Sequence, residues 1–481
     1  MTTEGRVYCL DVFTVALNQV CDEHDKRWYA STLELQLVSR GFCVACRSVP
    51  TLQVRVDRRL PRSLWYPSTS HTTPNNRSGE VPTWTGVPVV KPFGFTWALP
   101  TGILPQTAAI ELQAGSECRR VSGDSSVARQ EMLVWPRDLK RLVFTSNIPA
   151  NIEWPASLQQ LWLPRDFNQP IAEVVWPASL QQLWFGRSFN QDIVEVVWPA
   201  SLKRLTFGHE FNQPIAEVTW PASLQQLWFG QSFNQPIVGV IWPSSLQQLW
   251  FGRSFNQAIV EVVWPASLKR LSFGREFNQP IVGAMWPASL KRLSFSFEFN
   301  QPIVGTVWPP NLERLVFSFY FDQPIVGVMW PSSLRQLSYG RCFNRPIAEV
   351  VWPTSLQHLS FGDEFNQPIA QAVWPVSLQQ LSFWDQFNQP IARVVWPASL
   401  QRLSFGRFFN QPIAEVVWPA SLQQLSFGLR FNQPIIRVVW PASLRQLSFG
   451  DVFGSNFNQP IVGIVWPASL QSVTLCGHSL L

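Results

Sequence analysis

Charge is scarce in this chain: Asp, Glu, Lys and Arg together supply 14% of 481 residues, and there are five histidines. Methionine occurs four times and tyrosine five. There is no Walker loop, no dinucleotide fingerprint and no His-Glu-x-x-His helix, and no histidine sits in a nucleophile motif. Acids such as Glu364 and Glu415 recur singly on repeat edges rather than in the pairs that general acid–base work needs. No enzyme and no cofactor are expected. No uncharged apolar run approaches the roughly 20 residues a membrane helix needs, so no membrane partner is expected either. The start, MTTEGRVYCLDVFTVAL, has one Arg, an acid at Asp11 and no small-residue cleavage site, and does not read as a signal peptide. The seven cysteines are odd in number and lie mostly in the first quarter, which is not a disulfide framework. The expectation is a soluble cytoplasmic protein. A formal charge of +6 is mild for this length and permits an anionic partner without specifying one.

What the chain has instead is repetition. Proline (40), tryptophan (25) and phenylalanine (35) are abundant, and Trp-Pro marks a beat. From Trp154 to Trp440 it recurs every 22 residues; Trp135 opens a unit three residues short, and four extra residues delay the last start to Trp466. That gives sixteen starts. Two prolines in most units leave no room for a long helix. The run LQQLSFG alternates, with Leu425 and Phe427 pointing one way and Gln424, Ser426 and Gly428 the other, which is a strand signal. One short strand and a Pro-rich return per unit of this length is the arithmetic of a leucine-rich-repeat solenoid with a parallel sheet on its concave face and helix-poor convex connections.

The string SLQQLSFG..FNQPI resembles the FNIP repeat, a leucine-rich-repeat relative, over about residues 133–476. Its Phe-Asn pair appears as Phe167/Asn168, Phe277/Asn278 and Phe409/Asn410. Departures are Asp322 for the Asn, Arg345 for the Gln, and Asp192 and Ala258 for the Pro; the usual Leu-Pro is Trp-Pro here. The resemblance implies a binding scaffold, often joined to an effector domain, and no enzyme activity for the repeats. The inward set of one unit is read as Leu422, Leu425, Phe427, Phe431 and Ile435 with the Val-Val-Trp segment. A lone unit cannot offset an ordering cost of about 1–2 kcal/mol per residue, so stability must come from shared faces. The repeated Asn is expected to form a ladder, its amide serving the turn backbone of the next unit.

Ahead of the repeats, residues 1–60 form a segment of uncertain fold. Residues 61–130 are a Pro-rich linker of disordered composition, and 131–481 form the solenoid. Cys21 and His24 with Cys43 and Cys46 have the pair spacing of a zinc site. Their flanks lack the Gly and aromatic punctuation of zinc ribbons, and Cys9 competes, so reduced unligated cysteines and no stoichiometric zinc are expected.

Variation between units is more informative than the constant frame. The outward residue between the inward Leu and Phe is usually Ser, but it is Trp at Trp162, Trp184, Trp228 and Trp250, with Thr206 interrupting. At a strand spacing of about 4.8 Å these indoles form one ledge. Two positions earlier, Arg204, Arg270, Arg292 and Arg314 form a basic strip beside Lys203, Lys269 and Lys291, with Glu276 and Glu298 expected to neutralise it in part. The reading is a non-catalytic protein-interaction scaffold that binds a protein partner on the concave sheet, monomeric by default and with nucleic acid disfavoured. Two alternatives remain. One is a carbohydrate- or single-stranded nucleic-acid-binding surface on the ledge; the other is a substrate adaptor with residues 1–60 docking an effector.

Overall fold

The computed structural model describes residues 109–112, 139–144, 148, 152–450, 454–475 and 478–479. The 1–60 segment with Cys21, His24, Cys43 and Cys46, nearly all of the 61–130 linker, and the Trp135 start lie outside the described residues. The chain divides into two units, Met1–Leu161 and Trp162–Leu481. In the first, strands Ala109–Leu112 and Arg141–Phe144 pair in parallel. Leu139, Leu142, Leu158 and Leu161 are fully buried there.

The repeats form a parallel β-solenoid of about fifteen turns, with no helix among the described residues. In the second unit, successive strands from Gln182–Trp184 onward pair in parallel with a register offset of 22 residues, for example Arg270 with Arg292 and Arg292 with Arg314. The offset widens to 26 only at the last repeat, where Gln446 pairs with Ser472. The short strand His478–Ser479 then folds back antiparallel on Thr474 and Leu475.

Residues 264–285 show how one coil closes. Three turns bend it, each with a backbone bond spanning three residues: Leu268 to Pro265 O (3.0 Å), Phe277 to Gly274 O (3.3 Å) and Ala284 to Ile281 O (3.1 Å). Between the first two turns runs strand Arg270–Ser272. Between the last two, Pro280 holds Gln279 extended and has no N–H to leave unpaired. Coils are then tied to their neighbours. Lys269 and Arg270 both donate backbone N–H groups to Gln247 O, at 2.8 and 3.0 Å. Ser267 Oγ donates to Leu246 O at 2.7 Å, which is the turn duty that a recurring Ser at this position implies.

The interior is a set of columns, one residue per coil. Leu268, Leu271, Phe273, Phe277 and Ile281 are all within 2% of complete burial. Phe273 stacks on Phe251 and Phe295 in the coils on either side, at 5.8 and 5.6 Å, and on Phe277 within its own coil at 4.1 Å. Burial contributes about 1.5–3 kcal/mol for each such side chain. In most described coils the Trp of Trp-Pro packs steeply against these rings, as Trp264 does against Phe273 (6.3 Å, 75°). One sequence expectation is corrected here. Val-Val-Trp is extended backbone, so its residues alternate: Val416 and Trp418 are buried, but Val417 is 80% exposed and belongs to no core.

The Asn ladder is present, and its oxygen carries it. Asn256 Oδ1 accepts the backbone N–H of Asn278 at 2.9 Å and the Gln279 side-chain amide at 3.1 Å, and the pattern recurs from coil to coil. Two departures from the motif turn out to be partners. Asp322 still accepts the Asn344 N–H (2.9 Å), and Arg345, standing where Gln is usual, bonds Asp322 O and pairs with its carboxylate at 2.9 Å.

Candidate interaction surface on the strand face

The strands present one side chain inward and one on either side of it outward, so the outward residues form two columns along the solenoid. On the strands between residues 182 and 475, the outward positions hold Gln, Arg, His, Ser, Thr, Val and Trp, and no carboxylate. The chain's 31 acidic residues stand elsewhere in the sequence.

The four tryptophans lie on that face, in two stacked pairs. Trp162 and Trp184 have ring centres 4.0 Å apart and 8° from parallel; Trp228 and Trp250 are 4.4 Å apart and 8° from parallel. Between the pairs, in register with Trp184 and Trp228, stands Thr206. The small residue leaves a slot, and Arg204 from the same strand fills it. Its guanidinium carbon lies 4.6 Å from the Trp228 ring centre and 6.0 Å from that of Trp184. Gln226 Oε1 fixes it by accepting from Nε at 2.6 Å. The interruption in the sequence is thus a cationic rung in one stack of five planar groups over five coils. A guanidinium between two indole faces gains about 0.5–1 kcal/mol per face when exposed, and more when desolvated. Trp162, Trp184 and Trp250 are half-buried, whereas Trp228 is only 9% exposed.

Arg270, Arg292 and Arg314 continue the face in direct register. Like charges placed opposite one another across a sheet are destabilising. Burial, then the neighbouring Arg292, pulls the Arg314 pKa below the usual guanidinium value without discharging it. Glu276, expected to neutralise this row in part, lies against Arg253 at 3.2 Å. Of the flanking lysines, Lys291 is paired with Glu313 at 2.8 Å and Lys269 reaches Gln247 Oε1 at 3.2 Å. Farther along the same column, Gln336 Nε2 and His358 Nδ1 are 3.0 Å apart. Burial, then Arg402 and Arg314, lowers the His358 pKa.

A second stack escaped sequence reasoning. Beyond the strands, Phe297 and Phe319 stack at 4.3 Å. Arg275 caps one side (4.3 Å from the Phe297 ring centre) and Arg341 the other (5.2 Å from Phe319). Tyr320 meets both rings at steep angles. The available signal was Phe297 and Phe319 recurring one period apart where other units hold Arg, His, Gln, Asp or Leu. Among the described residues no cluster of His, Cys, Asp and Glu has metal-binding geometry.

A family model described as FNIP Repeat matches residues 167–210, 211–254, 255–298, 299–342, 343–386, 365–408 and 409–451. No curated protein matches the chain. Among solved structures, CroV588, described as a novel circular leucine-rich-repeat protein, is 44% identical with a TM-score of 0.62. The match covers 72% of this chain and 54% of that one, so the chain spans about half the length of this relative. The Toll–Spatzle complex of Drosophila matches at 14% identity and a TM-score of 0.46, over 66% of this chain and 50% of the other. An internalin, inlF, of Listeria monocytogenes matches at 14% identity and 0.38, over 52% and 75%.

Proposed function

The chain belongs to the FNIP-repeat family, and from that premise we propose that it is a non-catalytic recognition scaffold whose strand face binds a protein partner. The observation that carries the reading is the union of the Trp–Arg stack with an Arg row on a face free of carboxylates. Stacked indoles offer flat apolar area at little entropic cost, and the guanidinium groups select acidic groups beside it. The partner is therefore a protein with an exposed aromatic or aliphatic contact flanked by Asp or Glu. Arg292 and Arg314 repel one another, so an acidic partner also relieves the scaffold. Residues 1–60 and the 61–130 linker precede this scaffold as separate segments, and the setting is cytoplasmic.

The test is affinity capture with the full chain, comparing wild type with Arg204→Gln and with Ser at Trp162, Trp184, Trp228 and Trp250. Hot-spot aromatic and Arg residues are worth about 2 kcal/mol or more each at an interface. The expected result is a protein set lost from the quadruple variant and weakened by Arg204→Gln, with circular dichroism unchanged. An unchanged interactome would sink the proposal. So would selective recovery of RNA or a glycan in place of protein.

A further inference from the structure

The exposed valines excluded from the core form a surface of their own. From Val175 to Val465 the residue before each Trp is apolar in every coil but one (Thr219), and the exposure of these apolar residues runs from 65% at Met285 to 87% at Val465. Adjacent coils lie about 4.8 Å apart, so these side chains make a ridge with one tooth per coil. A second, lower ridge comes from the residue after each buried Ile, such as Val282 (44%) and Val304 (46%).

Between the ridges one position decides how polar the surface is. It holds Glu173, Glu195 and Glu217 in one direction and Glu349 in the other. In the middle it is Gly239, Glu261, Gly283, Gly305 and Gly327. The turn's hydrogen bond closes with Glu261 (Val262 N–H to Ile259 O, 3.2 Å) as well as with Gly283 (Ala284 N–H to Ile281 O, 3.1 Å). The four glycines adopt φ between +83° and +90°, and a Cβ at Gly239 or Gly327 would meet nothing. Gly in place of Glu there takes a charge off the surface and lets the turn adopt a left-handed backbone. The same window carries the larger ridge residues Ile241, Met285 and Met329.

We propose that this window, residues 238–329, is a self-association surface on which two copies of the chain pack ridge against ridge. Its area is sufficient. A Val- or Met-sized side chain presents roughly 60–120 Å² on the usual transfer scale. Five upper-ridge and four lower-ridge side chains are exposed in the window, giving roughly 500–1,000 Å². That reaches or exceeds the largest patch a monomer ordinarily leaves open, and it brackets the roughly 800 Å² per partner of a stable interface. Its periodicity selects the occupant. A ridge ruled at the coil pitch is matched over five coils by a surface ruled at the same pitch, and a second copy carries one. A two-fold arrangement makes the contact self-complementary and closed. The flanking Glu residues stop the two ridges from sliding by whole coils.

Sedimentation velocity and light scattering on the full chain, across the micromolar range, test this. Wild type should be a dimer. Val307→Glu should weaken association by roughly a hundredfold or more, since it buries an unpaired charge twice. Val417→Glu, the same change on the same ridge outside the window, should leave the dimer intact and serves as the control for folding. A monomeric wild type overturns the proposal, as does a dimer that survives Val307→Glu. Equal dissociation by Val417→Glu would overturn the window, and loss of a bound protein of different sequence would overturn self-association.

Discussion

Asn256→Ala isolates what the ladder contributes. Asn256 Oδ1 accepts two donors from the next coil, the Asn278 backbone N–H at 2.9 Å and Gln279 Nε2 at 3.1 Å. Alanine deletes the acceptor and leaves both donors where they are. Each net hydrogen bond is worth about 0.5–1.5 kcal/mol, and a buried donor left unpaired costs about 1–3 kcal/mol. Gln279 can turn to solvent, but the Asn278 N–H is fixed by its coil, so the total should be about 2 kcal/mol. Asn256→Asp supplies the matched control, because Asp322 already accepts the Asn344 N–H at 2.9 Å in the native chain. It should cost well under half as much. Urea unfolding followed by tryptophan fluorescence reads the global loss. Amide exchange at Asn278 reads the local one, and 2 kcal/mol corresponds to about thirtyfold faster opening. The reasoning is refuted if Asn256→Ala is silent in both assays, or if Asp is as damaging as Ala.

Three further outcomes follow from the same geometry. Phe295, fully buried and stacked on Phe273, Phe299 and Phe317, should cost about 3–5 kcal/mol as Phe295→Ala; an unchanged melting curve would mean that the strand register is wrong. Tyr339 takes a Phe position in the core, and its hydroxyl is buried with no hydrogen-bond partner among the described residues. Tyr339→Phe should therefore stabilise by about 1 kcal/mol, measurable as a raised Tm, and a lowered Tm would reveal a bond to the hydroxyl. The folded structure holds the His358 pKa below the usual imidazole value of about 6.5, so the unfolded chain takes up that proton first. Stability should fall as pH drops from about 6.5 through the folded pKa. His358→Gln should flatten that segment of the stability–pH curve, and an identical curve would contradict the burial of the ring.

The sequence by itself determined the frame. A period of 22 residues, with Pro placed twice in most units, excludes helices and forces identical side chains into columns, because each coil can bury its apolar residues only against copies of itself. Leu422, Leu425 and Phe427 were legible as inward from alternation alone. Tertiary structure decided what lies between the constant positions. Thr206 reads as a break in the Trp run, yet coil stacking brings Arg204 into the slot it leaves, a contact set by pitch and side-chain length that no linear spacing encodes. Asp322 and Arg345 read as two unrelated departures 23 residues apart, and only the offset of one coil makes them partners. The second Val of Val-Val-Trp has the composition of a core residue. Its exposure follows from where the turn ends and extended backbone begins, because each successive residue there faces the opposite side.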